Sequence, residues 1–164
     1  MTAREIRRWV LIGAPRERVW PWVGRPEGLE RWWCPPPTVR LFFEPRPGSR
    51  FVELYDDGTR SYRVEGVVEE CLPLRRLVIR RRTPGSASPA DRIAIVLNAR
   101  RHETCVTVVH RFERVPDRRW PELERFFGPP WAESLASLKA LVADGAAGEP
   151  PTGWRSAASQ QRGR

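Results

Sequence analysis

Ala14-Pro15-Arg16-Glu17-Arg18-Val19-Trp20, continued by Pro26-Glu27-Gly28-Leu29-Glu30-Arg31 and Trp32-Trp33-Cys34-Pro35, is the stretch on which the fold turns. Pro15 and Pro26 suit the first turns of helices, where a missing N–H costs nothing. Val19, Trp20 and Val23 follow the first proline at helical spacing, and Pro21 with Gly24 keeps that helix short. Leu29, Trp32 and Trp33 lie at i, i+3 and i+4, one apolar face of a second helix that Cys34-Pro35-Pro36-Pro37 ends. Neighbouring indoles cannot point the same way, so one of Trp32 and Trp33 is expected to reach a cavity or solvent. The stretch holds no nucleophile, metal cluster or phosphate loop; it suits the lid of a ligand cavity.

Outward from it, the texture changes twice. Arg4 to Ile12 alternates and is rich in Ile, Trp and Val, which predicts a strand before the two helices. After them come six further strand-like runs: 39–44, 50–55, 60–70, 74–82, 92–99 and 103–112. They are separated by turn signals such as Asp56-Asp57-Gly58 and Arg100-Arg101-His102, and by one long loop at 83–90. Consecutive strands with short turns predict an antiparallel meander. Two helical runs close the pattern, Trp120 to Phe127 and Trp131 to Ala143, with a break expected at Gly128-Pro129-Pro130; Trp131, Leu135, Leu138 and Leu141/Val142 form an apolar stripe. The expected fold is α+β: a curved antiparallel sheet of six or seven strands wrapped around a long C-terminal helix, with two short helices after the first strand. Residues 1–143 read as a single domain. Residues 144–164, rich in Gly, Ala, Pro, Ser and Arg, read as a disordered tail that buries too little to offset its ordering entropy.

Composition removes several classes. At 164 residues the chain suits one domain with a real core. No apolar run approaches the roughly 20 residues of a membrane span, and Met1 to Glu5 carries no secretory pattern, so a cytoplasmic protein without membrane insertion is expected. Cys34, Cys71 and Cys105 form neither a disulfide framework nor a zinc pair, and with only His102 and His110 available no metal or cofactor is expected. The net charge of +9 would ordinarily suggest a polyanion partner. Here Lys139 is the only lysine and most arginines alternate with acids, as in Arg16-Glu17-Arg18, which reads as chain-wide composition. Arg75, Arg76, Arg80, Arg81, Arg82 and Arg92 could form a basic edge, but no exposed aromatics interleave them, so a solvated outer face is expected and nucleic acid is not.

Several words in order resemble a known family: Gly13-Ala14-Pro15-Arg16-Glu17-Arg18-Val19-Trp20, Pro26-Glu27-Gly28-Leu29-Glu30-Arg31-Trp32-Trp33, Gly66-Val67-Val68-Glu69-Glu70 with Pro73 and Arg76-Leu77, Thr107-Val108-Val109-His110-Arg111-Phe112, and Trp131 with Leu135, Leu138-Lys139 and Leu141. Over residues 4 to 143 the chain resembles the AHSA-type family, bacterial proteins similar to the C-terminal domain of the activator of the Hsp90 ATPase, within the START/SRPBCC superfamily. The resemblance implies a helix-grip fold with a cavity between sheet and C-terminal helix, in a superfamily whose members bind lipids, sterols, hormones or polyketides, some of them cyclising or hydrolysing what they bind. It implies no shared catalytic set. The eukaryotic activator couples such a domain to a separate N-terminal one, and strand sequence begins here at residue 4, so a co-chaperone role is not expected.

Strand alternation and the helical stripe predict a lining of Trp20, Trp32, Phe42, Phe51, Tyr62, Val64, Ile95, Val108, His110, Phe112, Trp131 and Leu135 around a small hydrophobic, aromatic or lipid-like molecule. The indoles can equally pack the short helices onto the sheet. His110, on an apolar strand face, is either a core histidine with satisfied nitrogens or a group that orients a ligand. Glu53, between Phe51 and Tyr55, either faces inward with an arginine or Tyr62 as partner or reaches the rim. A cyclase, aromatase or hydrolytic activity would draw on His110, Glu53 and Tyr62, and an Arg-rich binding surface for protein or nucleic acid is the third possibility.

Overall fold

A computed structural model describes residues 2–33, 39–85 and 90–145. Cys34 and the tail beyond residue 145 lie outside the described residues, as does the middle of the 83–90 loop. Strand β1 (Thr2–Ile12) leads into α1 (Arg16–Val19), a 3-10 turn at Trp20–Trp22 and α2 (Pro26–Leu29). The strands β2 (Val39–Phe42), β3 (Arg50–Asp56), β4 (Ser61–Leu72), β5 (Arg76–Arg82), β6 (Asp91–Arg100) and β7 (Glu103–Val115) follow, and α3 (Trp120–Asp144) closes the chain. All seven strands form one antiparallel sheet in the order β1-β7-β6-β5-β4-β3-β2. The meander therefore runs in sequence order from β2 to β7, and β1 closes it by pairing with β7.

The strand register shifts at the start of β1, between Thr2 and Arg4, and again within β4. In β4 the register shifts between Val68 and Glu70, an extra residue that resets the phase. Val64 and Val68 face the core before it and Cys71 after it. Gly66 lies in the same strand opposite Arg81, and a Cβ there would stand 2.1 Å from the Arg80 carbonyl oxygen, so only glycine permits this approach. At the β6–β7 turn Arg101 takes φ 55°, and in the β3–β4 turn Gly58 takes φ 83° while Asp57 accepts hydrogen bonds from Thr59, Arg60 and Tyr55.

Two expectations need correction. The prolines at 129 and 130 do not break the C-terminal helix; α3 runs through them. They remove the donors that would meet the carbonyls of Arg125 and Phe126, but both residues are exposed, so water can serve those oxygens. Packing holds the two halves in line: Trp131, Leu135, Leu138 and Val142 are buried beyond the prolines, Phe127 packs edge-on to His110 and at a tilt to Phe112 before them, and the Arg8 guanidinium occupies the space a Gly128 Cβ would take. The second correction concerns Trp32 and Trp33, which are both buried. Helix α2 ends at Leu29, so the two indoles leave a turn, not one helix face. Trp32 donates to the Trp22 carbonyl at 2.7 Å, and Trp33 packs edge-on to Trp131 and against Phe51. No described helix is long and apolar enough to cross a membrane.

Candidate functional site

The inner face of the sheet carries charge where the strand pattern is otherwise apolar. On β5 Leu77, Ile79 and Arg81 share that face, on β6 Asp91, Ile93 and Ile95, and on β7 Val108, His110 and Phe112. Pairing sets Arg81 beside Asp91, and Ile93 beside His110. On β3 Glu53 stands opposite Val64 of β4. The result is a chain of hydrogen bonds across the sheet. Tyr62 Oη donates to Glu53 Oε1 at 3.1 Å, and Arg81 Nη1 donates to Glu53 Oε2 at 2.6 Å. Arg81 turns its other edge to Asp91, with Nε to Oδ1 at 2.8 Å and Nη2 to Oδ2 at 3.1 Å, a bidentate pair. His110 Nε2 meets Asp91 Oδ2 at 2.7 Å, and Trp131 Nε1 of α3 donates to His110 Nδ1 at 3.1 Å.

The indole N–H can only donate, so Nδ1 is the accepting nitrogen and the imidazole proton sits on Nε2, directed at Asp91. Burial, helped by the Arg81 charge, holds His110 below the usual histidine range despite the neighbouring carboxylate. Burial opposes the charge of Asp91 as well, but Arg81 and the His110 hydrogen bond outweigh it and hold that carboxyl at about 2. Burial likewise works against Arg81, and Asp91 with Glu53 more than offsets it, so the guanidinium is held above its usual range. Two carboxylates, one guanidinium and a neutral imidazole leave this cluster with one net negative charge.

A cavity of about 360 Å³ opens over the cluster. Its inner end is Glu53, Arg81 and Asp91; its walls are Tyr62, Val64, Phe112, Val115 and Pro116 from the strand side and Leu123, Phe126 and Phe127 from α3. Arg82, Thr83, Arg114 and Arg119 complete the lining, the three arginines exposed. Phe126 is 64% exposed although apolar, and it stands at this opening.

Of the residues expected to line a cavity, Tyr62, Val64 and Phe112 do so. His110 lies directly beneath, fully buried, between Phe112 and Phe127, whose rings stand 4.2 and 4.7 Å away. Trp32, Phe51, Ile95, Val108, Trp131 and Leu135 are core residues off the cavity wall, because the sheet closes tightly on the second half of α3. Trp20 is half-buried against that core. Phe42 is half-buried and flanks α2 near Pro26 and Glu30, since Val39 and Leu41 take the inward face of β2. Glu53 faces inward at 1% exposure, with both expected partners.

Arg81 and Asp91 are the residues the sequence reading missed. The arginine run is not one solvated face: Arg76 pairs with Glu70, Arg80 with Glu113 and Arg92 with Glu69 outside, whereas Arg81 is buried. The signal was present in the alternation of Leu77, Ile79 and Arg81. Helix residues Leu123, Phe126 and Phe127 were passed over because the apolar stripe was read only beyond the prolines. Among the described residues no group of three or more His, Cys, Asp and Glu side chains is placed to hold a metal. Cys71 is buried, which pushes its thiol up and away from reactivity.

A curved antiparallel sheet gripping a C-terminal helix, with a cavity between them, defines the helix-grip class. The profile of the Activator of Hsp90 ATPase homolog 1-like protein family matches residues 13–143, and the chain belongs to that family. Among solved structures it is similar to protein NE0264 from Nitrosomonas europaea, with a TM-score of 0.73 and 21% identity over 88% of this chain and 97% of that one. It is also similar to the Zhui aromatase/cyclase from Streptomyces sp. R1128, with a TM-score of 0.70 and 14% identity over 88% and 96% of the two chains. Protein CV1439 from Chromobacterium violaceum gives a TM-score of 0.64 at 25% identity over 84% and 96%. These likenesses establish the fold. A comparison with curated proteins finds no match.

Proposed function

We propose that this protein binds a small, largely apolar molecule in the cavity between the sheet and the first half of α3. The observation that carries the reading is the cavity itself: about 360 Å³ of space with an apolar wall and a few convergent polar groups at one end, the usual composition of a small-molecule site. Tyr62, Val64, Phe112, Leu123 and Phe127 are the proposed contacts. Binding is favoured over catalysis because His110, the natural acid–base candidate, has both ring nitrogens engaged and no exposed surface. Asp91, held at about 2, is a weak base at neutral pH.

The test is a thermal-shift screen of lipid-like and aromatic compounds, followed by titration of tryptophan fluorescence. A ligand at a hundred times its Kd is expected to raise Tm by roughly 5–10 °C in a domain of this size. Leu123→Trp, which fills the cavity from the helix side, is expected to abolish the shift while the variant stays folded. A screen in which no compound stabilises the protein would overturn the proposal.

A further inference from the structure

The two ends of the cavity differ in charge. At the inner end Glu53 and Asp91 outnumber Arg81, leaving one net negative charge. At the opening stand Arg82 at the end of β5, Arg114 on β7 and Arg119 at the start of α3. All three are exposed, and none forms an ion pair with a described carboxylate, unlike Arg76, Arg80 and Arg92 of the same sheet. They come from three separate elements, and all three contribute to the lining of the same cavity. Between the two ends lie apolar side chains, Phe112, Val115 and Leu123 among them.

We infer that the cavity selects an amphipathic monocarboxylate, its acid held at the mouth by Arg82, Arg114 and Arg119 and its apolar body directed inward. This rests on the proposed binding function and adds the ligand's charge and orientation. A guanidinium matches a carboxylate with two parallel donors, and three of them beside an apolar wall favour an anionic head over a neutral or cationic one. The negative inner end opposes an anion entering head first and fixes the sense of insertion. A second carboxylate at the far end of the ligand would meet Glu53 and Asp91.

The probes are four molecules with the same ten-carbon body: decanoate, decanol, decyltrimethylammonium and decanedioate. At low salt, decanoate is expected to bind about five- to tenfold more tightly than decanol, with decyltrimethylammonium weakest. Decanedioate is expected to bind several-fold more weakly than decanoate. The preference for decanoate over decanol should shrink at 0.5 M NaCl and vanish in R82Q/R114Q/R119Q, whose substitutions are all at exposed positions, while decanol affinity stays within about twofold. Equal binding of decanoate and decanol would overturn the inference and leave the binding function standing. Decanedioate binding as tightly as decanoate would overturn the orientation. Absence of binding by all four and by the wider screen would remove the binding function and this inference with it. Arginine-dependent sedimentation with phosphatidylglycerol vesicles, without competition by decanoate, would assign the arginines to a lipid surface and also overturn it.

Discussion

The two halves of α3 lie on the same face of the same sheet and do different work. Beyond the prolines, Trp131 packs on Trp33, and Trp131, Leu135, Leu138 and Val142 are buried in one core cluster with Val106 and Val108 of the sheet. Before them, Phe127 touches the sheet at His110 and Phe112, and Leu123, Phe126 and Phe127 line a cavity that has Glu53, Arg81 and Asp91 at its inner end. The change falls at Gly128-Pro129-Pro130. One half gives the fold its packing; the other covers sheet-borne charged groups that would be costly in a closed apolar core unless fully paired. The pairing of Arg81 with two carboxylates makes the open half tolerable, and the packing of the closed half holds the sheet in place beneath it.

That contrast can be broken most directly at Arg81. Arg81→Ala leaves Glu53 and Asp91 buried without their cation and is expected to cost about 3–5 kcal/mol in urea denaturation. A loss below about 1 kcal/mol would mean that water reaches the cluster freely and that the two halves are less different than described. A leucine pair sharpens the comparison along the helix. Leu135→Ala in the filled half is expected to cost about 2–5 kcal/mol, and Leu123→Ala at the cavity wall less than about 1 kcal/mol. Equal losses would contradict the division.

The smallest effect is read in pH. Below the ordinary histidine value of 6.5 the unfolded chain takes up a proton that His110, held lower, does not, so the unfolded state binds more protons and stability falls as the medium is acidified. The contribution is fully present above pH 6.5 and lost as pH drops through the folded value. Asp91 acts in the same direction further down: its contribution is present above the usual aspartate value of 3.8 and lost as pH falls towards about 2. Tm measured from pH 7.5 to 4.5 should decline, and His110→Gln should flatten that decline even though its Tm at pH 7.5 is lower.

The strands, the short helices and the buried stripe of α3 were legible in the sequence because periodicities of 2 and 3.6 report burial on one face, whereas the pairing of β1 with β7 was not read from them. The site was legible in part. Strand alternation puts Tyr62, Val64 and Phe112 on the face that the cavity uses, and it leaves Glu53 open between an inward and a rim position. Arg81 and Asp91 were not read, because an arginine in a basic run and an aspartate at a strand start are surface residues by composition, and only the pairing of β5 with β6 reveals that each supplies the other's partner. Leu123, Phe126 and Phe127 were missed for a different reason. Two prolines suggest a helix end, and the packing on both sides that carries α3 through them is tertiary.

The sealed imidazole of His110 has a spectroscopic consequence. With Nδ1 held by an indole N–H, Nε2–H held by a carboxylate and no accessible surface, the ring can neither turn over without losing both bonds nor exchange its proton readily with water. Its Nε2 proton should therefore persist as a separate downfield resonance in water. Because Asp91, which receives that proton's bond, also forms the inner end of the cavity, the resonance would respond to whatever molecule settles above it.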